Sequence, residues 1–179
     1  MSVDTVDYDY LKKAMYLASY STCLRRKIGC VLVGRSTHSS CVRTLGMDGE
    51  PYITGCNSPA LTVDCVSCVR GDYASGEGYD VCPAVHAEAA AICRAALEGF
   101  ACEGSVLYSS TTVPCKWCAG LIVRAGVARV VCIDEKDEVL PDIQVFGEKI
   151  LRAHGVEVVK VDWNEVLDYI RTQPHALGC

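Results

Sequence analysis

Residues 105–134 read SVLYSSTTVPCKWCAGLIVRAGVARVVCID. The two ends, SVLYSST (105–111) and ARVVCID (128–134), are short apolar runs of the kind that form buried strands. The middle, residues 115–125, reads as a helix that opens on Cys115 and Cys118. Pro114 suits an entry position at the first turn of that helix. Working outward, the same rhythm continues. A helix is predicted upstream over 85–98. Downstream, Phe146, Ile150 and Leu151 predict a helix near 142–154, with Gly155 as its stop signal. VEVVKV (156–161) reads as a strand, and Asp162 can cap a last helix with Trp163, Val166, Leu167 and Ile170 on one face. Toward the N-terminus, Tyr8, Leu11, Met15 and Ala18 predict an amphipathic helix over 6–20. IGCVLVG (28–34) and PYITGC (51–56) read as strands, joined by a polar stretch with some hairpin character. Residues 57–84 show no sustained periodicity and read as a long irregular insertion, a kind of segment that tends to be functional. Helices alternating with strands predict a layered α/β domain, and residues 1–179 read as one such domain without repeats or a linker.

Composition narrows the partners. Half of the 179 residues are hydrophobic and 22% are charged, a globular balance with material for a sizeable core. The formal net charge is −5, and a polynucleotide-binding domain usually carries a basic surplus, so DNA and RNA are disfavoured. A small anionic ligand needs only a local basic pocket. The opening MSVDTVDYDYLKK is acidic and has no apolar signal region, and no run is long enough to span a membrane. The 13 cysteines are therefore read as belonging to a reducing, cytoplasmic setting. There they serve as ligands, catalysts or small core residues more often than as disulfide halves.

The cysteines at 115 and 118 have C-x-x-C spacing at a helix start, where the helix dipole favours the thiolates that a metal requires. Alone, that spacing fits a structural zinc knuckle or a redox pair equally well. His86, in CPAVHAEAAAICRAA (82–96), opens another predicted helix and can supply a third ligand. Two thiolates and one imidazole leave the fourth position of a tetrahedral zinc for water. Glu88, two residues from His86, can then reach that water and exchange its proton. The basic run Arg25-Arg26-Lys27 precedes a predicted strand near the edge of the same site. Arg26 and Lys27 are candidates to bind a phosphate, although positive charge also suits a helix C-terminus.

The pattern H-x-E…P-C-x-x-C resembles the signature of zinc deaminases. Over nearly its whole length the chain resembles the cytidine deaminase superfamily, and within it the deoxycytidylate (dCMP) deaminase family. STCLRRKIGCVLVG resembles the end of the family's first helix and its first strand. ITGCNSPA resembles its G-Y-N-G loop, and SGEGYDVCPAVHAEAAAI its insertion running into H-A-E-x-N-A-I. SVLYSSTTVPCKWCAGLIVRAGVARVV resembles its strand, zinc helix and following strand. Cys56, Ser58, Ala90 and Ser109 stand where the family pattern has Tyr, Gly, Asn and Tyr.

The resemblance implies a three-layer α/β/α fold around a five-stranded mixed sheet. It implies a catalytic zinc on His86, Cys115 and Cys118, with Glu88 as proton shuttle and Asn57 helping to hold the sugar or phosphate. It also implies a homo-oligomer. The implied reaction is hydrolytic deamination of dCMP to dUMP and ammonia, supplying dUMP for thymidylate synthesis, with dCTP and dTTP as candidate effectors. Some members hold a second, structural zinc, and on that pattern Cys23, Cys65, Cys68 and Cys82 would form it. Free thiols, a disulfide, or Cys56 in place of one of the four are alternatives. Cys30, Cys93 and Cys132 read as core. The rival functions are a deaminase of the same fold acting on another base or a modified nucleotide, and a non-catalytic zinc-stabilised binding subunit.

Overall fold

The computed structural model describes residues 3–34, 46, 49–59, 66–74, 77–134 and 140–173. Helix α1 (Thr5–Ala18) starts at a reciprocal cap: the Asp4 carboxylate accepts the Asp7 N–H, and the Asp7 carboxylate accepts the Asp4 N–H. It is followed by β1 (Gly29–Val33), β2 (Tyr52–Cys56), the short β3 (Ser58–Pro59) and β4 (Ala84–Val85), and α2 (Ala87–Leu97). The rest of the chain alternates: β5 (Val106–Ser109), α3 (Lys116–Arg124), β6 (Arg129–Asp134), α4 (Asp142–Ala153), β7 (Glu157–Asp162) and α5 (Trp163–Thr172).

The main sheet has the order β2-β1-β5-β6-β7. β1 is antiparallel to β2 and β5, whereas β5, β6 and β7 run parallel. This is the five-stranded mixed sheet that the resemblance implies. Successive strand residues face opposite sides. Val31, Val33, Tyr108, Val131 and Ile133 pack beneath α1 and α5. Cys30, Leu32, Leu107, Val130 and Cys132 pack beneath α2, α3 and α4, completing three layers.

The alanines of α2 have a steric reason. A Cβ on Gly55 of β2 would lie 2.4 Å from the Ala87 carbonyl oxygen and 2.6 Å from the Ala91 nitrogen. The helix lies directly on the strand, and Ala87, Ala91 and Ala95, all fully buried, are what the gap admits.

Three expectations are refined. The strand anticipated over 105–111 pairs only as far as Ser109. Beyond it the ladder stops but the chain stays bonded to both neighbours, the Ser110 N–H donating to the Gly29 carbonyl at 3.0 Å and the Thr111 carbonyl accepting the Ile133 N–H at 3.1 Å, before it runs on to Cys115. Pro114 lies outside the first turn, because Cys115 itself is the N-cap of α3. Cys30 and Cys132 are buried as expected, but Cys93 is exposed because α2 buries the stripe 87-88-91-95. The insertion is pinned at its two ends by the β3–β4 ribbon, with Ser58 opposite Val85 and Pro59 opposite Ala84. Most of the polar stretch read as hairpin-like lies outside the described residues.

Candidate metal centre and active site

His86 is the N-cap of α2 and Cys115 the N-cap of α3. N-caps are normally Ser, Thr, Asp or Asn, whose side chains bond back to the helix. Neither His86 nor Cys115 makes such a bond, so both side chains are available to a ligand. Cys118 lies in the first turn of α3. Two helix N-termini therefore converge, and the polar atoms of His86, Cys115 and Cys118 lie within 4.8 Å of one another.

The spacing fits zinc. His86 Nδ1 is 3.4 Å from Cys115 Sγ and 3.5 Å from Cys118 Sγ. A tetrahedral ion with usual Zn–N and Zn–S bond lengths separates its nitrogen and sulfur ligands by about 3.5 Å. The donor set, one imidazole and two thiols, is the one zinc prefers. Without a metal the cluster shares its protons. The Cys115 thiol is held down to about 4 by the hydrogen bond from Cys118, against burial and with help from His86. Cys118 is pushed far up by its bond to Cys115 and by burial. His86 is raised by its bond to Cys115. Metal binding would displace these protons, and affinity would fall in acid.

Glu88 is buried, and its Oε2 lies 3.7 Å from Cys118 Sγ. Burial pushes its carboxyl up, with His86 only partly offsetting the shift. Glu88 and His86 open onto a cavity of about 350 Å³, lined also by Arg26, Asn57, Arg70 and Tyr79. That is within the usual range for small-ligand sites, ~300–1,000 Å³. Thr111 also lines it, and its hydroxyl is buried without a hydrogen-bond partner.

The model of the cytidine and deoxycytidylate deaminase zinc-binding region matches residues 4–134. The chain belongs to this family. It is 31% identical over 160 residues to the deoxycytidylate deaminase of Saccharomyces cerevisiae, a match covering 89% of this chain and 46% of that protein. It is 32% identical over 128 residues to the deoxycytidylate deaminase of Schizosaccharomyces pombe, covering 70% and 36%. The chain thus spans less than half the length of these relatives. The dCMP deaminase of cyanophage S-TIM5, solved in complex with dCMP and dUMP, superposes with a TM-score of 0.62 at 24% identity. That superposition covers 90% of this chain and 100% of the phage chain, and it bears on the fold. The family's zinc-binding region contains the His86–Cys115–Cys118 cluster, and zinc is the cofactor.

The other residues anticipated from sequence divide. Asn57 lines the cavity, but its amide is largely engaged. Its Oδ1 accepts from the Ser21 hydroxyl and the Ile28 N–H, both at 2.7 Å, and its nitrogen donates to the Arg26 carbonyl at 2.6 Å. One amide N–H is left for a ligand. Arg26 lines the cavity, whereas Lys27 is exposed and is not part of the lining. Arg26 and Ile28 turn inward, and the residue between them turns out.

Of the four cysteines considered for a second zinc, Cys65 lies outside the described residues. Cys23, Cys68 and Cys82 are half-buried, and Cys23 and Cys82 also line the cavity. Arg70, Tyr79, Thr111 and Gln144 are lining residues that the sequence reading missed. Arg70 and Tyr79 lie in the aperiodic insertion, where no pattern marks which side chains turn inward.

Proposed function

We propose that the protein deaminates dCMP hydrolytically to dUMP and ammonia. The observation that carries this reading is the buried Glu88 carboxylate beside the His86–Cys115–Cys118 cluster, facing a cavity with arginines in its wall. The relatives named deoxycytidylate deaminase, and the phage enzyme solved with dCMP and dUMP, support the choice of nucleotide. A structural knuckle has no use for a buried acid at its edge.

Zinc, when bound, supplies a Lewis acid that brings the pKa of water down to about 7. Glu88 handles the protons. It accepts one from the attacking water and delivers it to N3 of the cytosine, while oxygen adds to C4. It then takes the proton from the new C4 hydroxyl and delivers it to the amino group, which leaves as ammonia. The carbonyl of uracil forms, and Glu88 returns to its starting state. His86, Cys115 and Cys118 hold the metal against the cavity wall, and Asn57 orients the sugar with its remaining N–H.

This reading includes a homo-oligomer, for which the exposed Trp117 and Leu121 on α3 and Phe146 on α4 offer apolar surface. It includes dCTP and dTTP as effectors, and dUMP supply for thymidylate synthesis as the role. It places the protein in the cytoplasm, with which the ten unpaired cysteines among the described residues agree. No helix among those residues is long and apolar enough to cross a membrane.

The test is ammonia release from dCMP, CMP, deoxycytidine, dCTP, a 5-substituted dCMP and guanine, with zinc content measured. dCMP is expected to be turned over with the highest kcat/KM. A preference for guanine, or no release by zinc-loaded protein, overturns the reading.

A further inference from the structure

We propose that Arg70, brought in on the insertion, binds the phosphate of the nucleotide, and that Arg25 is the latch that positions it. This rests on the deamination reading above. Arg70 is only 8% exposed, yet it lines the same cavity as His86 and Glu88. Burying a guanidinium is costly unless an anion or full hydrogen bonding compensates it. Here neither does. Among the described residues no carboxylate pairs with Arg70, and of its nitrogens only Nε donates, to the Glu77 carbonyl at 2.7 Å. Its guanidinium carbon lies 4.0 Å from the centroid of the Tyr79 ring. Ring contact favours the cation but cancels no charge.

Arg129 shows what compensation of a buried arginine looks like: it forks onto the Asp7 carboxylate with both terminal nitrogens. Arg70 presents a fixed, planar fork whose two terminal nitrogens have no protein acceptor among the described residues. A fork of this kind matches two oxygens of a phosphate.

Arg25 has a different task. Its NH1 donates to the Arg70 carbonyl, and its NH2 to the carbonyls of Tyr73 at 2.7 Å and Ala74 at 3.2 Å. The residue just before Arg26 therefore clips the turn that carries Arg70. Arg25 also lines the cavity, but its two terminal nitrogens already donate to backbone carbonyls, and it fixes the backbone from which Arg70 reaches inward. Both ends of this contact are aperiodic in sequence, 45 residues apart.

The experiment compares dCMP with deoxycytidine, which lacks the phosphate, in the wild type, Arg70→Gln, Arg70→Lys and Arg25→Gln, with zinc content and melting temperature recorded. For Arg70→Gln the ratio of kcat/KM for dCMP over deoxycytidine is expected to fall on the order of 100-fold, the weight of a charge-assisted hydrogen-bonded pair. Arg70→Lys recovers part of the ratio. Arg25→Gln lowers it less, through KM for dCMP rather than kcat. An equal loss on both substrates, or an unchanged ratio, overturns the proposal.

A second measurement does not depend on turnover. dCMP, deoxycytidine and inorganic phosphate are each titrated against the melting temperature of the zinc-loaded protein. Stabilisation by dCMP that exceeds that by deoxycytidine, and is lost in Arg70→Gln, supports the assignment. Stabilisation by phosphate alone, lost in the same variant, assigns Arg70 to free phosphate and overturns the substrate role. Full retention of the dCMP shift in Arg70→Gln overturns the site altogether. If wild-type protein releases no ammonia from any substrate, the deamination reading fails, and these shifts still judge Arg70.

Discussion

Glu88 is a carboxylate where the local rules favour an apolar side chain. It is 4% exposed, on the buried stripe of an alanine helix, and burial raises its pKa. Removing it should relieve that cost while removing the proton carrier. Glu88→Gln keeps shape and hydrogen bonding but cannot cycle a proton. It should retain zinc near the wild-type content and lose about 10³-fold or more in kcat, toward the upper part of what positioned acid–base catalysis contributes. Zinc by atomic absorption and single-turnover ammonia release check both halves. Loss of zinc together with activity would make Glu88 a structural residue instead. This residue was legible in sequence, because proton transfer and zinc ligation each demand specific residue types and the types recur at fixed spacing. Arg70 was not. Arginine is common on surfaces, and only the Arg25 latch, the Glu77 carbonyl and the Tyr79 ring turn this one inward.

At the scale of elements, the two zinc-bearing helices are held by close packing at two glycines. Gly55 lets α2 lie on β2, and Gly147 of α4 faces the turn that enters α3. A Cβ on Gly147 would lie 2.0 Å from the Pro114 carbonyl oxygen and 2.9 Å from the Cys115 carbonyl carbon. Those are backbone atoms, so no rotamer change relieves the clash. Gly147→Ala must move either α4 or the Pro114–Cys115 turn. The expected cost is ~1–3 kcal/mol of overpacking, together with displacement of Cys115. Zinc should then be stripped at lower chelator concentration than from the wild type, and the apo-protein melting temperature should drop. Unchanged chelator resistance would show that α4 takes up the whole movement. The elements themselves were legible because each follows a period of 2 or 3.6. The starts of α2 and α3 on His86 and Cys115 were legible too, through the metal chemistry rather than through a capping side chain, which neither residue supplies. The strand before α3 ends its ladder at Ser109, although Ser110 and Thr111 keep single backbone bonds to Gly29 and Ile133 and Thr111 reaches the cavity wall.

Over the whole molecule, chemistry occupies one face of the sheet and the α1 anchor the other. Asp7, in the first turn of α1, receives both terminal nitrogens of Arg129 from β6, at 2.6 and 2.9 Å, and the Tyr108 hydroxyl from β5 at 3.0 Å. Burial raises the Asp7 pKa, but the Arg129, Asp4 and Tyr108 hydrogen bonds outweigh it and leave the carboxyl below its ordinary value. A carboxyl depressed in the fold contributes stability above its unfolded pKa, about 3.9, and loses that contribution as pH falls through the folded value. Asp7→Asn should therefore be less stable than the wild type at pH 7 by about 2 kcal/mol, because Arg129 loses its two short bonds to Asp7 and keeps only the longer Glu157 pair at 3.5 Å. The gap should narrow below pH ~4, where the wild type becomes protonated as well. Acid also protonates the zinc ligands, but in both proteins, so the difference between two denaturant titrations isolates Asp7. Because the anchor lies across the sheet from His86 and Glu88, kcat at pH 7 should be retained at temperatures where the variant is folded. A stability gap that stays constant from pH 7 to pH 3 would assign the loss to packing rather than to the Asp7–Arg129 charge pair.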